Sequence, residues 1–220
     1  KRALFRDREN QVGKRKGRAR VRFAVLISGS GTNLQTLIDK VSSKELNGEI
    51  STVFSNRKSA FGLERAKKAG IPTGYLSRAN FKSNEEYDLE LLKILRNCET
   101  DFIVLAGYLR ILTPVIINEY RNRIINIHPS LIPSFCGEGF YGMYVHEAAI
   151  KRGVKLSGAT VHFVNEETDG GAIILQEAVS VEPFDTAESL QKKVLKVEHR
   201  LLPLAVGYFL DGKILIDGDK

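Results

Sequence analysis

The stretch VRFAVLISGSGTNLQTLIDKVSS, residues 21–43, runs from a β-branched apolar segment through a glycine-rich turn into a helical period. VRFAVLI (21–27) predicts a strand, and Leu34, Leu37, Ile38 and Val41 share one stripe of a helix over 32–43. A strand turning through glycines straight into a helix is the first half of a βαβ unit. Outward from it the alternation repeats. Strands are expected at 49–55, 71–76, 101–107 and 123–127, with helices at 59–70 and 83–98 between them. Gly70 stops the first of these helices, and Ser83 followed by Glu86 predicts a capping box on the second. DFIVLAG (101–107) is apolar almost throughout, as a parallel strand covered on both faces must be. The last third differs. LSGATVHFV (156–164) and GAIILQEAVSV (171–181) flank a polar turn and predict an antiparallel hairpin. A helix at 186–207 and a short strand, KILID (213–217), close the chain. The fold class that follows is α/β, a doubly wound, mostly parallel sheet with a C-terminal antiparallel hairpin.

A chain of 220 residues with 43% apolar content can bury one good core. No apolar run reaches the roughly 18 residues of a membrane span, so a soluble protein is expected. Two cysteines, Cys98 and Cys136, suit a reducing compartment better than a disulfide framework. The net charge of +7 is concentrated at one end. Residues 1–22 hold ten Lys/Arg against Asp7 and Glu9, which leaves the remaining chain at −1. Residues 1–20 are therefore expected to be a flexible basic extension and residues 21–220 one domain. An RNA contact or the remnant of an organelle-targeting segment is the alternative for the arm, and Asp7 and Glu9 count mildly against the second.

Three segments could carry chemistry. LISGSGTNL (26–34) offers free backbone N–H groups at a helix N-terminus, an anion site by construction. It lacks the Lys-Ser/Thr of a nucleoside-triphosphate loop and, with Leu34, the third glycine of a dinucleotide fingerprint. That leaves a simple phosphomonoester, or a tight turn that merely uses Gly29 and Gly31. In IINIHPSLIPSF (124–135), Asn126 and His128 share one strand face opposite Ile125 and Ile127. Pro129 ends the strand, which puts His128 at a carboxyl end, where open α/β sheets bind ligands. A hydrogen-bonded core histidine beside a turn-forming Asn is the competing reading. NEETDGG (165–171) reads on composition as a solvated hairpin turn, and Asp169 matters only if the fold carries it to His128. His162 reads as structural within its strand. His146 opens a helix as possible pocket lining, His199 follows Glu198 on the late helix, and no spacing among the four histidines resembles a metal site.

Taken together, LISGSGTNLQTLID, VFSNRKSAFGLERAKKAGIP, LAGYLRIL, NIHPSLIPSF, GATVHFVNEETDGGAIILQ and VEHRLLP resemble, in order and spacing, the phosphoribosylglycinamide formyltransferase family. The resemblance covers about residues 21–215. It implies a Rossmann-like formyltransferase domain over 21–220 that moves a formyl group from 10-formyltetrahydrofolate to the amine of glycinamide ribonucleotide in purine synthesis. It further implies Asn126, His128 and Asp169 as catalytic residues, His128 protonated. Gly31, Thr32 and Asn33 are then the phosphate segment, and Glu198 meets the glycinamide end of the substrate. Leu109, Arg110, Ile111 and Leu112 line the folate pocket, with Asn126, Asn165, Glu166 and Asp169 completing it. No metal, membrane or nucleic acid is implied. A cytoplasmic monomer or homodimer is expected, organellar if the arm is a targeting remnant.

Two departures from the family stand out. Asn84 occupies a position where an Arg that helps bind ligand is common, so whatever that charge contributes is absent or supplied elsewhere, Arg78 or Lys82 being the candidates. SFCGEGFYGMYVHEAAI (134–150) resembles a longer, glycine-rich variant of its loop, with Glu138 where Lys is frequent. Sibling families set the rival expectations. Methionyl-tRNA formyltransferase would need a C-terminal RNA-binding domain, and formyltetrahydrofolate deformylase an N-terminal regulatory one. A non-catalytic phosphate-binding module would keep the glycine turn and need neither His128 nor Asp169.

Overall fold

The computed structural model describes residues 20–217. The basic extension, apart from Arg20, lies outside the described residues. Seven strands form one sheet: β1 (Val21–Ile27), β2 (Gly48–Ser55), β3 (Thr73–Tyr75), β4 (Phe102–Leu105), β5 (Ile124–His128), β6 (Leu156–Phe163) and β7 (Ile173–Ser180). Their order is β3-β2-β1-β4-β5-β6-β7, parallel as far as β5 and antiparallel from β5 to β7. Among the described residues five α-helices lie between strands, α1 (Thr32–Ser42), α2 (Phe61–Lys68), α3 (Asn84–Asn97), α4 (Pro114–Glu119) and α5 (Met143–Arg152), and α6 (Ala187–Leu210) follows β7. The expected doubly wound sheet with its late hairpin is the fold observed.

Period-two alternation distributes the strands between two cores. Phe23, Val25 and Ile27 of β1 face a cluster with Val104, Ile125, Ile127 and the apolar stripes of α1 and α6. Ala24 and Leu26 face the other side, with Ile103, Leu105 and Ile124, against Tyr87, Leu91 and Leu95 of α3 and Ile116 and Ile117 of α4. Covering both faces explains why β1 and β4 are apolar in sequence without alternating.

The structure differs from the expected elements in three places. Residues 213–217 form no strand. Ile214 and Ile216 pack on the core while Leu215 stays exposed, so the alternation is real but is a packing pattern without a ladder. The Thr113–Pro114 step starts the short α4, which the strand-helix pattern passed over; Pro at the first helical turn was its available signal. The box at α3 is only half formed. Ser83 Oγ accepts from Glu86 N at 3.1 Å, but the Glu86 carboxylate accepts from Lys82 N at 2.8 Å, one residue earlier than a reciprocal box requires.

Candidate active site

The sheet order reverses direction between β1 and β4, and the segments leaving β1, β4 and β5 meet at their carboxyl ends. Ser28 ties them together. Its N–H donates to Gly107 O at 3.0 Å, its hydroxyl donates to Asn56 Oδ1 at 2.6 Å, and it accepts from Leu109 N at 2.8 Å. One buried serine thus sets the glycine turn after β1 against the loop after β4. Leu26, Leu105, Asn126 and His162 stand in register on adjacent strands. Asn126 is therefore two strands, about 10 Å, from the base of the glycine turn.

The turn itself passes through Gly31 at φ 70°, in the left-handed region, and Gly31 is the N-cap of α1. Asn33, almost fully buried, donates from Nδ2 to Glu198 Oε2 of α6 at 2.7 Å. Burial raises the Glu198 carboxyl above its ordinary value, against the pull of that bond. Asn33 Oδ1 has no hydrogen-bond partner among the described residues. Glu198, 165 residues away in sequence, is thus brought to the start of α1.

The second centre is built on β5. Asn126 and His128 share one face, as the alternation predicts. His128 Nε2 lies 2.9 Å from Phe135 O, and an acceptor-only carbonyl requires the proton on Nε2. That leaves Nδ1 as the nitrogen facing Asp169, whose Oδ2 is 3.5 Å away. Oδ2 also accepts from Gly137 N at 2.9 Å, while Oδ1 lies 3.6 Å from His162 Nε2. The hairpin turn therefore does carry Asp169 to His128. The carboxyl is held below its ordinary value: burial opposes its ionisation, and His162, His128 and the Gly137 N–H outweigh it. Burial pulls His128 below the usual imidazole range, with Asp169 and the Phe135 carbonyl opposing that shift. Burial thus works against the imidazolium, and Asp169 works for it. Phe135 at φ 50° and Asp169 at φ 57° are both non-glycine residues in the left-handed region, and both aim a polar atom at this histidine.

His162, read from sequence as structural, is buried in the same group. Its Nδ1 lies 2.8 Å from Phe163 O, an acceptor-only carbonyl, so Nδ1 carries a proton. Nε2 then accepts from Asn126 Nδ2 at 3.0 Å. This bond orients the Asn126 amide and leaves its second N–H free to point at a ligand. His146 is buried beside His128, its Nδ1 has no partner among the described residues, and burial takes its pKa down to about 4.

The expected folate wall is placed unevenly. Leu109 and Ile111 are exposed side chains beside the Ser28 junction, whereas Leu112 is buried in the core and presents no side chain to a ligand. Arg110 stacks over the Tyr87 ring at 4.1 Å and donates to Asn84 Oδ1 at 3.2 Å. Arg78 Nε donates to the same oxygen at 2.8 Å, so a guanidinium from another position reaches the place where Asn84 lacks one. Of 165–169 only Asp169 reaches the histidines. Glu166 is exposed and paired with Arg121, and Asn165 Oδ1 caps Glu167 N at 3.1 Å.

A family model described as Formyl transferase matches residues 21–206. A phosphoribosylglycinamide formyltransferase of Haemophilus influenzae is 44% identical over 193 residues, 88% of this chain and 89% of that protein. The chain belongs to the phosphoribosylglycinamide formyltransferase family. The Escherichia coli phosphoribosylglycinamide formyltransferase is 42% identical, over 87% of this chain and 88% of that protein. Among solved structures, the glycinamide ribonucleotide transformylase 1 of Symbiobacterium toebii superposes with a TM-score of 0.86 at 40% identity, covering 91% of this chain and 92% of that one. The family brings formyltransferase chemistry and the α/β fold to this chain.

Proposed function

We propose that the chain moves the formyl group of 10-formyltetrahydrofolate to the amine of glycinamide ribonucleotide, at the centre formed by Asn126, His128 and Asp169. The observation that carries this reading is the convergence of a strand end and a hairpin turn: Asp169 Oδ2 sits 3.5 Å from His128 Nδ1, next to an Asn126 amide already oriented by His162. The amine nitrogen bonds to the formyl carbon, and negative charge develops on the formyl oxygen. His128 Nδ1, once protonated, and the free Asn126 N–H donate to that oxygen. Asp169 stabilises the imidazolium that forms and so offsets the burial that disfavours it. As the carbon–N10 bond breaks, N10 gains one proton and the former amine has given one up, so the balance closes without a covalent enzyme intermediate. Cys136 takes no part; burial, then Asp169 and Glu167, push its thiol pKa up and away from a nucleophilic thiolate.

Substrate placement follows from the two flanking segments. The N–H groups of the glycine turn and Thr32 suit the phosphate, Asn33 and Glu198 face the rest of the nucleotide, and the exposed Leu109 and Ile111 offer an apolar wall to the folate. The test is formyl transfer followed by absorbance of the folate product, with glycinamide ribonucleotide and water compared as acceptors. Turnover that requires the ribonucleotide is expected. Equal turnover with water alone would make the chain a formyl-folate hydrolase.

A further inference from the structure

Helix α2 lies between β2 and β3, and its first turn is pressed against the glycine turn after β1. Gly62 N donates to Gly29 O at 3.1 Å, and Arg65 Nε donates to Ser30 O at 2.8 Å. Arg65 Nη1 reaches Gln35 Oε1 on α1 at 3.2 Å, and the guanidinium lies 5.0 Å from the Phe61 ring centroid. Both carbonyls of the turn are therefore held from the same side by one helix. In a planar trans peptide the C=O and the following N–H point in opposite directions. Tying back Gly29 O and Ser30 O consequently turns the N–H groups of Ser30 and Gly31 away from α2. Neither donates to any group among the described residues.

The contact depends on two glycines meeting backbone to backbone. A Cβ on Gly31 would stand 2.6 Å from Gly62 Cα, and one on Gly62 would stand 2.4 Å from Ile27 Cδ1 and 3.2 Å from Gly31 Cα. A side chain at Gly31 would force the turn and α2 apart, and one at Gly62 would displace the buried Ile27 side chain and crowd the turn.

We propose that Gly62 and Arg65 of α2 are positioning residues that hold the carbonyls of the glycine turn outward, so that two successive N–H groups face the substrate's phosphate. This rests on the reading of that turn as the phosphate segment. Arg65 acts through the turn and does not touch the reacting atoms. The guanidinium fork spans Ser30 and Gln35 at once, which a lysine ammonium cannot do.

The experiment compares wild type, Arg65→Ala and Arg65→Lys in steady-state formyl transfer, with inorganic phosphate as a competitor of the ribonucleotide. In Arg65→Ala the KM for the ribonucleotide and the inhibition constant of phosphate should both rise about tenfold, the size of one charge-assisted hydrogen bond. The kcat and the KM for the formyl donor should stay within about twofold of wild type. Arg65→Lys should remain impaired. Unchanged ribonucleotide KM and phosphate inhibition in Arg65→Ala would overturn the assignment, and so would full recovery in Arg65→Lys, which would make charge alone the cause. A joint fall in kcat and rise in both KM values would make Arg65 merely structural and overturn it too. Failure of phosphate to compete in wild type would remove the phosphate reading of the turn, and this proposal with it.

Discussion

His128→Ala should lower kcat for formyl transfer by about a thousandfold while the chain stays folded. The imidazole is the one group on β5 that can both donate to the developing oxyanion and take up a proton beside a carboxylate. Losing such a donor alone is worth about 10²–10³, and losing the proton transfer adds to that. Stability should suffer less. The side chain is buried, but its lost contacts are one hydrogen bond to Phe135 O, the approach to Asp169 Oδ2 and a small volume at a strand end. Such losses are about 1–3 kcal/mol, below the total stability of an ordinary domain. Thermal unfolding and near-ultraviolet dichroism check the fold, and single-turnover transfer checks the chemistry. A variant that folds and turns over like wild type would remove His128 from the mechanism.

Asp169→Asn should cost about 10²–10³ in kcat by removing charge with almost no change of shape. Asparagine tolerates the left-handed backbone found at this position and can still accept from Gly137 N. What it cannot do is stabilise an imidazolium at His128 Nδ1, so the loss reports the electrostatic role. The same substitution has a signature in stability. Asp169 ionises below its ordinary carboxyl value when folded. Its charge therefore adds stability that is present above the unfolded carboxyl pKa and is lost as pH falls through the lowered folded one. The stability gap between wild type and Asp169→Asn should accordingly be widest near neutral pH and close in acid. Denaturant unfolding at a series of pH values measures it; a gap that widens toward low pH would contradict the assigned shift.

Much of this architecture was legible in the residues, for a definite reason. Val21–Ile27 and Phe102–Leu105 are covered on both faces, so their apolar runs could mean little else once glycines and helical periods flanked them. Asn126 and His128 were legible as a pair because alternation on a strand leaves no choice of face. His162 was missed by the same logic. It alternates inside an apolar strand, and nothing local distinguishes a core histidine from one that faces a turn residue, Asp169, seven positions further on. The contributions of Phe135 O and Gly137 N were invisible because they are backbone atoms whose direction depends on the loop's φ angles and not on side-chain identity. Residues 213–217 show the converse failure, where alternation was right about burial and wrong about pairing. The link from Arg65 to Ser30 joins side chain to backbone across 35 residues, a distance at which only the assembled sheet brings α2 and the turn together.

In this mechanism His128 and Asp169 act as one unit. A double-mutant cycle on kcat tests it most directly, with wild type, His128→Ala, Asp169→Asn and the double variant measured under one saturating condition. If the carboxylate works through the imidazole, the double variant should turn over within about threefold of the slower single variant, because the second substitution removes a partner already lost. Losses that multiply, to about 10⁵ or more in the double variant, would mean that the two residues act independently and would contradict the mechanism.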